Sequence, residues 1–171
     1  MVLGALPALA CPEALALAEA CRGDAALAAE ADKAASRIRA ALVSSKLKVT
    51  AGPNGRAAGK AVDGDPGTRW DTGRPMKPGD WFAMDFQMPV TVKTITLDHE
   101  PSSNDWPRSY EVYVSDDGKD WKGSVVTGKG TPEGTVIRLA QPVRTQHVKI
   151  VQTGQSDQWH WSIHEMKVEV E

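Results

Sequence analysis

The run Lys60-Ala61-Val62-Asp63-Gly64-Asp65-Pro66-Gly67-Thr68-Arg69-Trp70 holds the residues whose types and spacing speak most directly of chemistry. Two carboxylates, a hydroxyl and several backbone carbonyls crowd into it. Pro66 lacks an N–H donor, and Gly64 and Gly67 favour unusual backbone angles, so the run reads as a tight loop. A hard cation suits such a loop, because Ca²⁺ takes about six to eight oxygens from carboxylates, hydroxyls and carbonyls together. The spacing is not that of an EF-hand, which wants acidic ligands at alternate positions. The same residues also make a plain polar turn, with Asp63 capping local N–H groups.

Catalytic chemistry has less support. The histidines stand at 99, 147, 160 and 164 with neither cysteine near them, so no Ser-His-Asp, Cys-His or phosphate-loop pattern forms. His160 and His164 are four apart, but in a strand-like context and without a His-Glu-x-x-His pattern, so zinc is not expected. The chain reads as non-catalytic.

The elements that must position these residues change character near Ser44. Residues 1–44 are rich in Ala, Leu and Glu and contain no Trp, Tyr or Phe. Pro12 suits a first helical position, and Glu13 to Arg22 carry Leu15, Leu17 and Ala18 toward one side. Gly23 stops that helix and Asp24 caps the next, in which Leu27, Ala31, Ala34, Ala35, Ile38, Ala41 and Leu42 recur at helical steps. Two such helices form a hairpin that resembles the last unit of a HEAT-type repeat, or an ordinary hairpin packed on a neighbouring domain. Cys11 and Cys21 lie about 15 Å apart on a helix, too far for a disulfide, and read as buried small hydrophobes. The apolar run Met1 to Ala10 lacks a basic leader and continues into Pro12, so it reads as a start inside a larger protein rather than a lipoprotein signal.

Residues 45–171 are expected to be all-β. Candidate strands are Lys46–Thr50, Trp81–Phe86, Val90–Leu97 with one slip of phase, Tyr110–Ser115, Trp121–Thr127, Thr135–Leu139, Val143–Val151 and Ile163–Val170. Short strands parted by Gly, Pro and Asp turns predict a β-sandwich or barrel. Trp70, Trp81, Trp121 and Trp161 fall on or beside strands and read as core or edge packing. The composition, 41% hydrophobic and 25% charged with net charge −2, lacks the basic excess of a nucleic-acid binder. No apolar run approaches the roughly 20 residues of a membrane span.

Residues 46–171 resemble a discoidin domain, the factor V/VIII type C module of the galactose-binding-like jelly rolls, which include many bacterial carbohydrate-binding modules. The motifs that carry the resemblance are Lys60-Ala61-Val62-Asp63-Gly64 with Thr68-Arg69-Trp70, then Trp81-Phe82-Ala83-Met84-Asp85-Phe86. Ser109-Tyr110-Glu111-Val112-Tyr113-Val114-Ser115-Asp116-Asp117-Gly118 with Trp121 follows, and Trp161-Ser162-Ile163-His164-Glu165-Met166 precedes the last strand. The resemblance implies a mainly β jelly-roll sandwich behind an N-terminal helical hairpin. It implies a structural Ca²⁺ held by the Lys60, Asp65, Thr68 and His164 carbonyls, the Asp63 and Glu165 carboxylates and the Thr68 hydroxyl. That is about seven oxygens, a count Ca²⁺ accepts. Carboxylates are plentiful, but the best-placed acids for a glycosidase pair, Asp63 and Glu165, are taken by the cation.

The resemblance also places function in loops at one end of the sandwich. A sugar needs a flat aromatic and fixed polar groups, and the loops His99–Arg108 and Gln155–Trp161 supply both. The expected contact set is His99, Asp105, Trp106, Arg108 and Trp159, with His160 and Glu100 behind. Asp105 and Arg108 are equally suited to pair across their own loop. Trp159 and Trp161 share a parity, so both point inward if the last strand starts early. Glu100-Pro101-Ser102 stands where sugar-binding relatives often carry a Pro-Arg pair, so no galactose preference is implied. The partner expected is a glycan or polysaccharide outside the cell, in the periplasm or at the cell surface, beside upstream domains of a parent protein. Protein–protein adhesion is the alternative. Membrane binding has only Met76 and Trp106 to offer as apolar spikes.

Overall fold

The structure is a computed structural model and describes residues 10–170; most of the Met1–Ala10 run considered above lies outside them. The described residues divide into two compact units, 10–47 with Val170 and 48–169.

The first unit is a helical hairpin. Helix α1 spans Pro12–Ala20, with Pro12 at its first turn and Cys11 Sγ accepting the Ala14 N–H at 3.5 Å. A short 3₁₀ turn, Cys21–Gly23, leads toward α2, Ala28–Lys46. Asp24 does not cap α2: its carboxylate takes the Ala26 N–H, and Leu27 stands at the N-cap position without a side-chain bond. The core is built from Ala14, Ala18, Ala31, Ala34, Ala35, Ile38 and Leu42. Small side chains let the two backbones approach closely but bury little apolar area. Arg39 pairs with Glu19 and Arg22 with Asp32, each at 2.6 Å, across the hairpin. Cys11 and Cys21 are half-buried against this core, less enclosed than expected, and free of disulfide. Leu17 and Leu27 face outward, contrary to the expected apolar stripe.

The second unit is a β-sandwich. Its strands are β1 (Lys48–Gly52), β2 (Trp70–Asp71), β3 (Trp81–Asp98), β4 (Tyr110–Ser115), β5 (Val126–Gly128), β6 (Thr135–Gln152), β7 (Ser162–Ile163) and β8 (Glu165–Val170). The main sheet runs β1-β3-β6-β4-β5, with β8 also on β3, and β2 pairs with β7 as a separate ribbon. The pairs with a defined register are antiparallel. Four of the expected strands merge into two. Trp81–Phe86 and Val90–Leu97 are one strand, as are Thr135–Leu139 and Val143–Val151. The long strands pair with two breaks in register, between Asp85 and Val90 and between Val92 and Thr94. The second is the slip of phase visible in the sequence. At the first, Gln87 takes a left-handed φ of 59° and the Asp85 carboxylate caps its N–H. Such bulges bend a strand and increase its twist, which lets two long strands wrap a core.

That core is aromatic at one end. Trp70 lies edge-on to Phe82 and to Trp161, each at a centroid distance of 5.0 Å, and all three are fully buried. Ile95, Leu97, Ile137, Ile150 and Ile163 continue it. A short 3₁₀ helix, Gly55–Ala61, stands where loop was expected and delivers Lys60 to the start of the acidic loop. The strand expected over Trp121–Thr127 is reduced to β5, because Asp117 folds the preceding residues into a turn by taking the Lys119 and Asp120 N–H groups. The last strand is interrupted at His164, which separates β7 from β8.

Candidate functional site

In the acidic loop the Thr68 hydroxyl donates to Asp63 Oδ2 at 2.8 Å and lies 3.4 Å from the Lys60 carbonyl. Asp63 Oδ1 accepts the Asp65 N–H at 3.0 Å, and the Asp65 carbonyl accepts the Thr68 N–H. The Asp65 N–H and then the Thr68 hydroxyl hold the Asp63 carboxyl below the usual aspartate range. Three oxygens of the expected cation set, from Lys60, Asp63 and Thr68, therefore converge. The Asp65 carbonyl, also expected in the set, is engaged by the Thr68 N–H, while the Asp65 side chain takes the Gly67 N–H. From the far end of the chain, the His164 ring reaches the Pro66 carbonyl at 2.8 Å. The next residue, Glu165, holds a buried Oε1 with no hydrogen-bond partner among the described residues. A buried carboxylate oxygen needs a donor or a cation, and the converging oxygens of Lys60, Asp63 and Thr68 are of the kind a hard cation takes. No three His, Cys, Asp or Glu side chains gather as a metal cluster among the described residues; the remaining ligands would be carbonyls and a hydroxyl.

The His99–Arg108 loop is closed on itself. His99 is 1% exposed, with its ring 5.8 Å from that of Trp106 and its Nε2 unpartnered. The Arg108 guanidinium lies 4.2 Å over the Trp106 ring and donates to the Trp106 and Asn104 carbonyls. One face of that indole is thus covered. Burial lowers the Arg108 pKa, against the opposing pull of Asp105, yet no ion pair joins the two. Asp105 is itself only 8% exposed, and its carbonyl accepts the Ser162 N–H. His99, Trp106 and Arg108 come together; among the described residues no aromatic or cation–π pair joins Trp159 to them.

Trp159 belongs to a different feature. It is 39% exposed, while Trp161 is fully buried, so residues of equal parity point opposite ways. No regular strand runs through Trp159 to enforce alternation. The Trp159 carbonyl takes the Met76 N–H, and the Ser156 N–H goes to the Met76 carbonyl, which zips two loops together. Between them opens a cleft of about 480 Å³ lined by Arg74, Pro75, Met76, Lys77, Pro78, Gln155, Ser156 and Asp157. Its lip is fixed by Asp80, whose carboxylate receives both terminal nitrogens of Arg74 at 2.6 and 3.1 Å and the Lys77 N–H at 2.8 Å. Lys77 Nζ, Gln155 and the Asp157 carboxylate have no side-chain partner among the described residues. Met76 is fully buried, which removes it as a membrane-facing spike. The sequence reading missed the Arg74–Pro78 wall; its signal was a basic loop between two prolines just ahead of Gly79 and β3.

Fold and loops together define a β-sandwich whose connections carry the polar and aromatic side chains described above. The F5/8 type C domain model matches residues 42–166, and the chain belongs to that family. No curated relative matches the sequence. Among solved structures it is similar to a Clostridium perfringens CBM32 module in complex with GalNAc-β-1,3-galactose, at 21% identity and a TM-score of 0.61, covering 74% of this chain and 97% of that one. It is similar to the family 32 module of C. perfringens NanJ in complex with galactose, at 19% identity and TM-score 0.60, covering 74% and 96%. A chitosan-binding module of a Paenibacillus chitosanase/glucanase follows at 23% and 0.60, covering 72% and 93%. At these identities the likeness is one of fold. No described helix is long and apolar enough to cross a membrane.

Proposed function

We propose that the chain is a non-catalytic carbohydrate-binding module whose ligand lies in the cleft between Arg74–Pro78 and Gln155–Trp159. The observation that carries this reading is the exposed Trp159, whose carbonyl holds the N–H of the cleft residue Met76, next to a polar cleft lined by Lys77, Gln155 and Asp157. A flat apolar ring with adjacent unspent donors and acceptors matches the two faces of a sugar. The glycan ligands of the similar family 32 modules support the same class of partner. His99, Asp105, Trp106 and Arg108 enter as a buttress. The Thr153 N–H bonds to the Ser109 carbonyl and the Ser162 N–H to that of Asp105, so this loop braces the Trp159 loop at both ends.

Lys60, Asp63, Asp65, Thr68, His164 and Glu165 are proposed to hold a structural Ca²⁺. When bound, the ion supplies positive charge to a set of oxygens that otherwise face one another. The helical hairpin is read as the end of a longer helical array in an extracellular parent protein. A glycan array probed with the whole chain tests the function. Binding to defined glycans that falls about 30-fold or more in Trp159→Ala is expected, the loss typical of a central aromatic anchor. An array without hits, or full binding by the variant, contradicts it.

A further inference from the structure

A line of hydrogen bonds leaves the acidic loop at Pro66, passes through His164 and Ser102, returns to the chain at Arg69 and runs on through Asp71 to Gly73, next to the cleft residue Arg74. His164, 3% exposed, places Nδ1 2.8 Å from the Pro66 carbonyl and Nε2 2.9 Å from Ser102 Oγ. A carbonyl only accepts, so Nδ1 carries the proton, and in the neutral ring Nε2 accepts the Ser102 hydroxyl. Ser102 Oγ accepts in turn from Arg69 Nη1, and Arg69 Nε donates to Asp71 Oδ2 at 3.0 Å. Asp71 Oδ1 takes the Gly73 N–H at 2.6 Å and lies 3.7 Å from His160 Nδ1. Gly73 directly precedes Arg74, the first residue of one cleft wall. Every donor on this line meets one acceptor, and the bonds after Ser102 have a single sense once the His164 tautomer is fixed.

We propose that His164 is a positioning residue for ligand binding, coupling order at Pro66 to the Arg74–Pro78 wall of the cleft through Ser102, Arg69 and Asp71. The proposal rests on the cleft being the glycan site. Any buried imidazole needs partners at both nitrogens; what singles out His164 is that its second partner, Ser102 Oγ, is shared with Arg69, whose Nε in turn holds Asp71. Coupling of this kind is reciprocal, so a ligand that fixes the cleft also orders the acidic loop.

Amide hydrogen exchange on the whole chain tests this in His164→Ala, His164→Gln, Ser102→Ala and the double alanine variant. Each single alanine change is expected to speed exchange at Gly73, Met76 and Ser156 by about five- to tenfold, the loss of one net hydrogen bond. The sheet amides of β4 and β6 are expected to stay unchanged. The double variant is expected to exchange no faster than the singles, because both cut one line. Glutamine donates and accepts as the neutral ring does, and is expected to restore slow exchange. Accelerations that add, that stop at Pro66–Thr68, or that persist in His164→Gln overturn the proposal. Exchange needs no glycan, so the two readings fail separately. A coupled pattern in a chain that binds nothing on the array removes the glycan site and keeps the relay. Binding with no coupled pattern removes the relay alone.

Discussion

Two tryptophans of one loop, two positions apart, should respond to truncation in opposite ways. Trp161 is fully buried and stands edge-on to Trp70 at 5.0 Å. Removing a buried indole forfeits about 200 Å² of apolar burial at about 25 cal/mol per Å², or about 5 kcal/mol as an upper figure. Measured costs of such changes run at about 3–5 kcal/mol, so about 4 kcal/mol is the expected loss for Trp161→Ala. At about 4 °C per kcal/mol for a unit of this size, the β-unit should melt about 15 °C lower. Trp159, 39% exposed and without an aromatic partner, should cost about 1 kcal/mol and shift the midpoint by about 4 °C. Thermal unfolding followed by far-UV circular dichroism reads both. Equal drops in the two variants, or a Trp161→Ala chain melting within about 4 °C of the parent, would refute the opposite orientations on which the cleft depends.

Other perturbations have equally definite outcomes. Chelation by EDTA should lower the melting temperature by about 10 °C, the effect of losing a ligand held at about a hundred times its Kd; Asp63→Asn should abolish that response, and an unchanged curve contradicts the cation. Asp80→Ala strips Arg74 and the Lys77 N–H of a buried acceptor and should cost about 2–3 kcal/mol in urea unfolding, with glycan affinity falling alongside. A cost below about 0.5 kcal/mol would mean that the lip is not held there. Asp117 is held at about 2 by the Asp120 and Lys119 N–H groups, against an ordinary 3.8. Its folded pKa is depressed, so its contribution is complete above about 3.8 and fades as pH falls toward about 2. Asp117→Asn should flatten the acid limb of the stability curve in that window, and an identical limb would contradict the assignment.

The sequence carried the scaffold because alternation and turn chemistry are local signals. Tyr110–Ser115 followed by Asp-Asp-Gly reads as a strand and turn on sight, and the lost phase near Thr94 is visible before any coordinate. The fusion of Trp81–Phe86 with Val90–Leu97 was not legible, since Gln87 and Pro89 look like an ending and only pairing with β6 carries the strand through them. The acidic loop was legible in its Asp63, Thr68 and Lys60 contacts, all made within a few residues of sequence. The cleft was half legible. Trp159 announced itself, but the wall facing it comes from Arg74–Pro78, and nothing local to either loop says that Met76 zips them together. The 99–108 loop looked like a contact surface because it is rich in polar and aromatic residues. Spacing alone does not tell an exposed indole from one roofed by its own arginine.

The central claim is that a glycan rests against Trp159 rather than Trp106. Titration of the isotope-labelled chain with a glycan taken from the array, followed by NMR of the indole N–H groups and backbone amides, tests it most directly. Saturable shifts at the Trp159 indole and at Lys77, Gln155 and Asp157, with the Trp106 indole nearly still, are the predicted result. Shifts centred on Trp106 and Arg108 with the cleft unmoved would contradict it.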